Sequence, residues 1–381
     1  LNDSEWKLKV NAIEKIAKYS KILDKYGFIN GDLTLYKKND EENIKFSANT
    51  NYKYKVIATE NKLIDNYAIT GEINNLTNDI SLKINDSIDV KIKDDIVVKA
   101  DNVGINIDEI LNFFSDINSS KDSNSSMNFT LDANNCYLYL SENRHVISEK
   151  IKLQYFNKIL TAQLTHKEGK AGFKLSDSEF HFYGEKFNDE FMENLFALSK
   201  FKGGTLDFSM NGTIKEYSGI MYVKNTTILD YKILNNILAF VNTVPSLVTF
   251  SLPGYNRRGL AVDDAYINFK FKDDVYKMSD ISLESKEVNI VGVGEASIVK
   301  NSIDLDLNLK TDLGSSVSKI PLVGYILLGK ENISTSLKVT GALDNPDVNT
   351  MIAKDIIVAP INIIKRTLML PFEIFKSDKD K

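Results

Sequence analysis

The most regular stretch of the chain is Ser302-Ile303-Asp304-Leu305-Asp306-Leu307-Asn308-Leu309-Lys310, where apolar and polar residues alternate without a fault. Period two marks a strand with one buried side and one wet side. The same alternation puts Leu206, Phe208 and Met210 on one side of a second strand, and Ile267, Phe269 and Phe271 on one side of a third. Leu337 and Val339 repeat it over 333–340, which closes in Thr340-Gly341-Ala342-Leu343-Asp344-Asn345-Pro346, a strand end and a turn. Nearer the start, Ile80, Leu82 and Ile84, then Ile88, Val90 and Ile92, then Ile96 and Val98 give three short strands with short polar links. Links that short predict antiparallel meanders, because parallel neighbours need a crossover of a dozen residues or more. Further strands are expected at 127–131, 136–140, 151–153, 159–164, 173–175, 180–183, 279–283 and 288–297.

Helical spacing is rarer. Leu8, Ala12, Ile16, Tyr19 and Leu23 recur at three and four and predict a helix over 3–26. Asp108 to Ile117 and Asp189 to Ser199 predict two short helices, the first capped by Asp108. Ile228 to Leu252 is apolar-biased, but Asp230, Lys232, Asn235, Asn236 and Asn242 interrupt it and Pro245 bends it. It reads as an amphipathic helix pair. The helical segment 351–375 brings Ile361, Ile364, Leu368, Phe372 and Phe375 to one side, with Asn362, Lys365, Arg366, Glu373 and Lys376 in a narrower polar arc. Such a helix suits a headgroup layer or a membrane-embedded partner, or else caps the end of the sheet. No stretch reaches the roughly 18–20 apolar residues of a spanning helix. The Ser/Asn/Asp-rich segment 115–126 separates a first unit, 1–117, from a second, 127–200; a third covers 201–350 and a helical tail 351–381.

Composition narrows the function. With 43% hydrophobic and 26% charged residues the 381-residue chain is foldable, and a net charge of −5 gives it no drive towards nucleic acid. One cysteine, Cys136, allows no internal disulfide. The sequence opens on Leu1, so a processed or partial chain is expected, with any membrane anchor upstream. His145, His166 and His181 form no ligand pair, so neither a metal nor another cofactor is expected. Gly292-Val293-Gly294 lacks the third glycine of a dinucleotide loop and sits in an alternating segment, where glycines serve close approach. Arg257-Arg258 reads as a solvated loop, and Asp94-Asp95, Asp263-Asp264 and Asp273-Asp274 as turn residues. No acid, base and nucleophile converge, so an enzyme is not expected.

What remains is a set of strands with apolar sides that need a cover: a second sheet, helices or a ligand. The strand ending in Leu309-Lys310-Thr311-Asp312-Leu313-Gly314, the block Ile320-Pro321-Leu322-Val323-Gly324-Tyr325-Ile326-Leu327-Leu328-Gly329 and the close Val339-Thr340-Gly341-Ala342-Leu343-Asp344-Asn345-Pro346 resemble the C-terminal region of the AsmA-like family of bacterial envelope proteins, the YhdP/TamB type. The resemblance runs from about Gly203 to Pro346. It implies a mainly β fold with short helices: an elongated, curved antiparallel half-pipe with an apolar concave groove, continuous along the chain. It also implies a periplasmic protein anchored in the inner membrane that carries phospholipid acyl chains towards the outer membrane. The groove residues would then be Leu206, Phe208, Met210, Ile267, Phe269, Phe271, Ile303, Leu305, Leu307, Leu309, Leu337 and Val339. A membrane surface or an outer-membrane partner protein would meet the C-terminal helix. The other reading is a closed β-sandwich, a scaffold or assembly factor for outer-membrane proteins.

Overall fold

A computed structural model describes residues 5–17, 28–39, 41–59, 62–106, 108–110, 112, 128–141, 144–196, 201–229, 259–286, 288–311, 328–329, 332–343 and 345–351. The chain forms two compact units, Leu1–Lys167 and Glu168–Lys381.

Unit one contains β1 (Glu5–Val10), α1 (Ile13–Ala17), β2 (Phe28–Lys38), β3 (Asn43–Tyr52), β4 (Ile57–Thr59), β5 (Lys62–Leu63), β6 (Asn66–Asn74), β7 (Ile80–Ile84), β8 (Ile88–Ile92), β9 (Ile96–Asp101), β10 (Gly104–Asn106), β11 (Phe129–Ser141), β12 (Arg144–Phe156) and β13 (Ile159–His166). Its ladder runs β1-β2-β3-β6-β7-β8-β9-β11-β12-β13. Neighbours are antiparallel except β9 and β11, which are parallel. β10 follows β9 along the same edge of β11 and carries β4 and β5 outside it. The parallel pair departs from a pure meander, and its long link, 102–128, is the crossover that such a pair requires.

Unit two contains β14 (Gly169–Ser176), β15 (Glu179–Phe187), α2 (Asp189–Phe196), β16 (Phe201–Lys202), β17 (Thr205–Thr213), β18 (Glu216–Ile228), β19 (Leu260–Lys272), β20 (Val275–Glu284), β21 (Asn289–Ser297), β22 (Ser302–Thr311), β23 (Leu328–Gly329), β24 (Asn332–Ala342) and β25 (Asn345–Thr350). Its ladder, β14-β15-β17-β18-β19-β20-β21-β22-β24-β25, is antiparallel throughout. β16 and β23 add short pairs to β18 and β24. In neither unit does a described pair close the ladder, and the described strands of each belong to one sheet, so among the described residues no second sheet forms a sandwich with it. The fold is mainly β, in open and largely antiparallel sheets with short helices.

Several expectations change. The helix expected over 3–26 is an edge strand followed by the single turn of α1, with 18–27 outside the described residues. Trp6, Leu8 and Val10 also alternate with Lys7 and Lys9, and as a strand Leu8 sits opposite Leu35 and extends an apolar row. Tertiary pairing thus overrides helical spacing. The strands expected at 127–131 and 136–140 are one strand, β11. Strands β2, β3 and β6 carry an alternation diluted by Asn, Thr and Gly, and were not foreseen. α2 is present, and the Asn188 side chain caps it by accepting the Phe191 N–H at 3.2 Å. Of the helix expected at 108–117, residues 108–110 and 112 are described and helical. The segments 230–258, 312–327 and 352–381 lie outside the described residues, and with them Arg257-Arg258 and Ile361, Ile364, Leu368, Phe372 and Phe375.

The hairpins turn tightly. Asn85-Asp86, Asn157-Lys158, Asp177-Ser178 and Asp273-Asp274 all have positive φ at both residues, the I′ geometry that follows the twist of paired strands. Asp263-Asp264 differs from its turn expectation: it lies inside β19, where Asp264 accepts the Tyr222 hydroxyl. Serine fits the left-handed region poorly, and Ser178 sits there at φ 72°. Ser178→Gly removes that strain at some cost in unfolded-chain entropy. The expected net gain is about 0.5–1 kcal/mol, read as a higher urea midpoint at unchanged slope; a lower midpoint contradicts the assigned turn.

Candidate functional site

Antiparallel partners point to the same side of a sheet, so the register assigns each side chain to a side. In unit two the successive partners Phe173, Phe182, Met210, Gly219, Phe269, Met278, Gly294, Leu305, Val339 and Val348 cross all strands of the ladder and are all apolar. A second row, two positions along, reads Gly184, Phe208, Met221, Ile267, Ile281, Gly292, Leu307 and Leu337. Leu206, Phe271, Ile303 and Leu309 flank these rows on the same side. All twelve residues expected to line a groove therefore share one side of one sheet.

Unit one has its own row: Leu8, Leu35, Phe46, Gly71, Leu82, Val90, Val98, Leu131, Leu153 and Ala162. Leu82, Val90, Val98, Leu131 and Leu153 lie in strands that the alternation predicts, whereas Leu8, Leu35 and Phe46 join the row from strands it does not predict. The alternation Leu33, Leu35 and Phe46, Ala48 carried the signal. A cleft of about 840 Å³ in this unit is lined chiefly by the opposite, polar side, including Lys45, Glu72, Lys83, Asp89, Lys91 and Lys99.

Large side chains on these rows rest on glycines across the strand. A Cβ on Gly184 would meet the Phe208 ring at 2.4 Å, and one on Gly219 the Phe269 ring at 2.4 Å. On Gly292 it would meet Leu307 Cδ2 at 2.3 Å, and on Gly71 the Phe46 ring at 2.7 Å. The Gly292-Val293-Gly294 motif thus has the close-approach role expected of it.

The apolar side of unit two is not uniform. Leu305, Leu307, Leu309, Leu337 and Val339 form a buried aliphatic cluster with Ile290 and Ile303. Towards β14 the side opens: Phe173, Phe180, Phe182, Met210, Met221, Phe271 and Tyr276 are half-buried, and Ile267 is 36% exposed. Phe187, Leu206, Phe208 and Phe269 are the buried exceptions there.

The other side is polar. The partners Asp207, Tyr222, Tyr266 and Ser282 stand in one row, which continues through Val291 to Asn308 and Ser336. Burial pushes the Tyr222 phenol well up, and its bond to Asp264 adds to the shift. At the β17–β18 hairpin, the Lys270 and Lys272 ammonium groups, 2.5 and 2.9 Å away, hold the exposed Glu216 carboxyl down at about 2. His145, His166 and His181 lie in β12, β13 and β15, and His166 Nδ1 is 3.4 Å from Glu149. Among the described residues, no group of three or more His, Cys, Asp or Glu could hold a metal.

Because the folded pKa of Glu216 is depressed, its stabilising effect is present above the ordinary carboxylate value near 4.3 and fades as pH falls towards about 2. A carboxyl-detected NMR titration of the whole chain should give a midpoint of about 2 for Glu216, rising in about 0.5 M salt as the exposed pair is screened. A midpoint at the ordinary value, whatever the salt, would rule out the ion triad.

No curated protein and no solved structure matches the chain. A family model described as YhdP protein matches residues 78–348, from just before β7 of unit one to β25 of unit two. YhdP is not a known enzyme family. The match takes in more than half of the sequence and nearly the whole of the ten-strand apolar side of unit two: the chain belongs to the YhdP family of AsmA-like bacterial envelope proteins.

Proposed function

We propose that this chain binds phospholipid by its acyl chains along the apolar sides of its sheets, and conducts phospholipid between inner and outer membranes without chemical change. On this reading it works in the periplasm, anchored in the inner membrane, and sustains outer-membrane lipid supply. The observation that carries the reading is the unbroken apolar row across each ladder, with part of the side left half-buried around Ile267. Burying each methylene is worth about 0.8 kcal/mol, so such a side holds an acyl chain without any specific polar contact. Near-equivalent apolar positions on successive strands let the chain slide, while the headgroup stays in water.

The division within the apolar side makes the reading testable. Ile267→Asp puts a carboxylate where water reaches it in the free protein and a lipid tail would strip that water away. The expected result is a normal circular dichroism spectrum and at least about a tenfold loss of co-purifying phospholipid by native mass spectrometry. Leu307→Asp, at a position 2% exposed, is expected to unfold the protein. Wild-type protein that never carries lipid, or Ile267→Asp that carries as much as wild type, would sink the reading.

The tail with Ile361, Ile364, Leu368, Phe372 and Phe375 supplies, on the same reading, the contact with a membrane surface or an outer-membrane partner protein. Removing residues 360–381 should leave the melting temperature unchanged and abolish flotation with liposomes. A lower melting temperature with flotation retained would make the tail a cap instead.

A further inference from the structure

At the hairpin end of β17 to β20 the register brings two phenols together on the apolar side of unit two: Tyr217 of β18 and Tyr276 of β20, both partners of Phe271 in β19. They flank Phe271 of β19, each ring centroid 4.8 Å from its ring. Phe180 and Phe269 complete an aromatic cluster, 5.6 and 6.2 Å from Tyr217. Inside it the two hydroxyls meet at 3.3 Å. Two phenols hold two protons, and a hydroxyl–hydroxyl bond uses one. The other proton has no acceptor among the described residues, and the neighbouring rings, Phe180, Phe269 and Phe271, offer none. Burial pushes the Tyr217 phenol up, so it remains a donor at any physiological pH.

The position adds direction. Tyr217 and Tyr276 stand at the hairpin end of their strands, one residue inside the first of each. From Tyr217 the apolar side continues through Gly219 and Met221 to Val223, and from Phe271 through Phe269 to Ile267. Six residues of strand span about 20 Å, more than half of a hydrocarbon core of about 30 Å. One end therefore offers a hydrogen-bond donor, and an acyl-length apolar track leads away from it.

Resting on the lipid-binding reading above, we propose that the Tyr217–Tyr276 pair is the polar anchor of a lipid position: it donates to an acceptor oxygen at the headgroup end of a diacyl glycerolipid, whose chains lie towards Ile267 and Met221. The pair then selects for lipids carrying that oxygen over bare hydrocarbon, and sets the lipid's orientation on the sheet. The acceptor chemistry is shared by an ester carbonyl and a phosphate.

The test uses the whole chain and the double variant Tyr217→Phe/Tyr276→Phe, which keeps both rings and removes both hydroxyls. Binding is measured for three probes: a diester phosphatidylglycerol, its diether analogue, which keeps the phosphate and lacks the carbonyls, and hexadecane, which lacks both. The expected result is about a tenfold weaker affinity of the variant for the diester, the scale of one hydrogen bond, with hexadecane unchanged. A similar loss for the diether identifies the phosphate as the acceptor; a diether already weak on wild type and indifferent to the variant identifies the ester. Equal affinity of variant and wild type for the diester overturns the anchor, and so does an equal loss for hexadecane, which would mean altered ring packing. Wild type that binds none of the three overturns the lipid-binding reading itself.

Discussion

The constraint on which this molecule depends is strand register. Side chains alternate sides with period two, so a slip of one residue would turn every apolar side chain of a strand to the wet side. The chain keeps its apolar side single even where the sequence breaks the alternation. In β15 the spacing lengthens from two to three between Gly184 and Phe187, and in β20 between Met278 and Ile281, and at both places the register shifts. These bulges absorb the extra residue and restore the side. The first is held by a specific bond: Lys186 takes φ 57° and its N–H donates to Asp207 at 2.7 Å. Burial raises the Asp207 carboxyl, against which that bond and the nearby lysines act. A half-buried carboxylate on the wet side thus fixes which way Phe187 and Leu206 point on the dry one.

The second device is the pairing of a large residue with a glycine. Phe208 is 1% exposed and Leu307 2%, and on the first, α2 contributes through Phe191, stacked on Phe187, which is stacked on Phe208. Phe208 and Leu307 each lean across the neighbouring strand and lie against the backbone of Gly184 or Gly292, where a Cβ would leave no room. Phe46 over Gly71 and Tyr137 over Gly104 repeat the arrangement in unit one. Glycine costs conformational entropy in a strand, and here the contact with a ring offsets it.

Much of this was legible in the sequence because alternation is a local signal. Ile303 to Leu309 and Ile267 to Phe271 alternate cleanly, and a shared side for them needed only a consistent register. Less legible was anything set by a partner strand. Glu5 to Val10 fits both a helix and a strand on its own residues, and only the row through Leu35 and Phe46 decides between them. Asp263-Asp264 has turn chemistry, but its place opposite Lys224 and Glu284 makes it strand. The division of the apolar side into a sealed aliphatic part and an open aromatic part was not legible at all: Leu307 and Ile267 have the same chemistry and differ only in what packs around them.

In unit two each strand of the main ladder pairs with its nearest ladder neighbours in sequence, apart from the short additions of β16 and β23. Such a sheet has low contact order for an all-β protein and behaves as a one-dimensional array, in which a hairpin can form as soon as it is synthesised and add to the last one. Its length is then a free variable. A hairpin gained or lost leaves the threading of all others intact, so evolution can adjust the reach of the apolar side in steps of two strands, close to 10 Å each. Unit one departs from this, in β3 beside β6, in β10 beside β4 and above all in the parallel junction of β9 and β11, whose long crossover must close before either neighbour is complete.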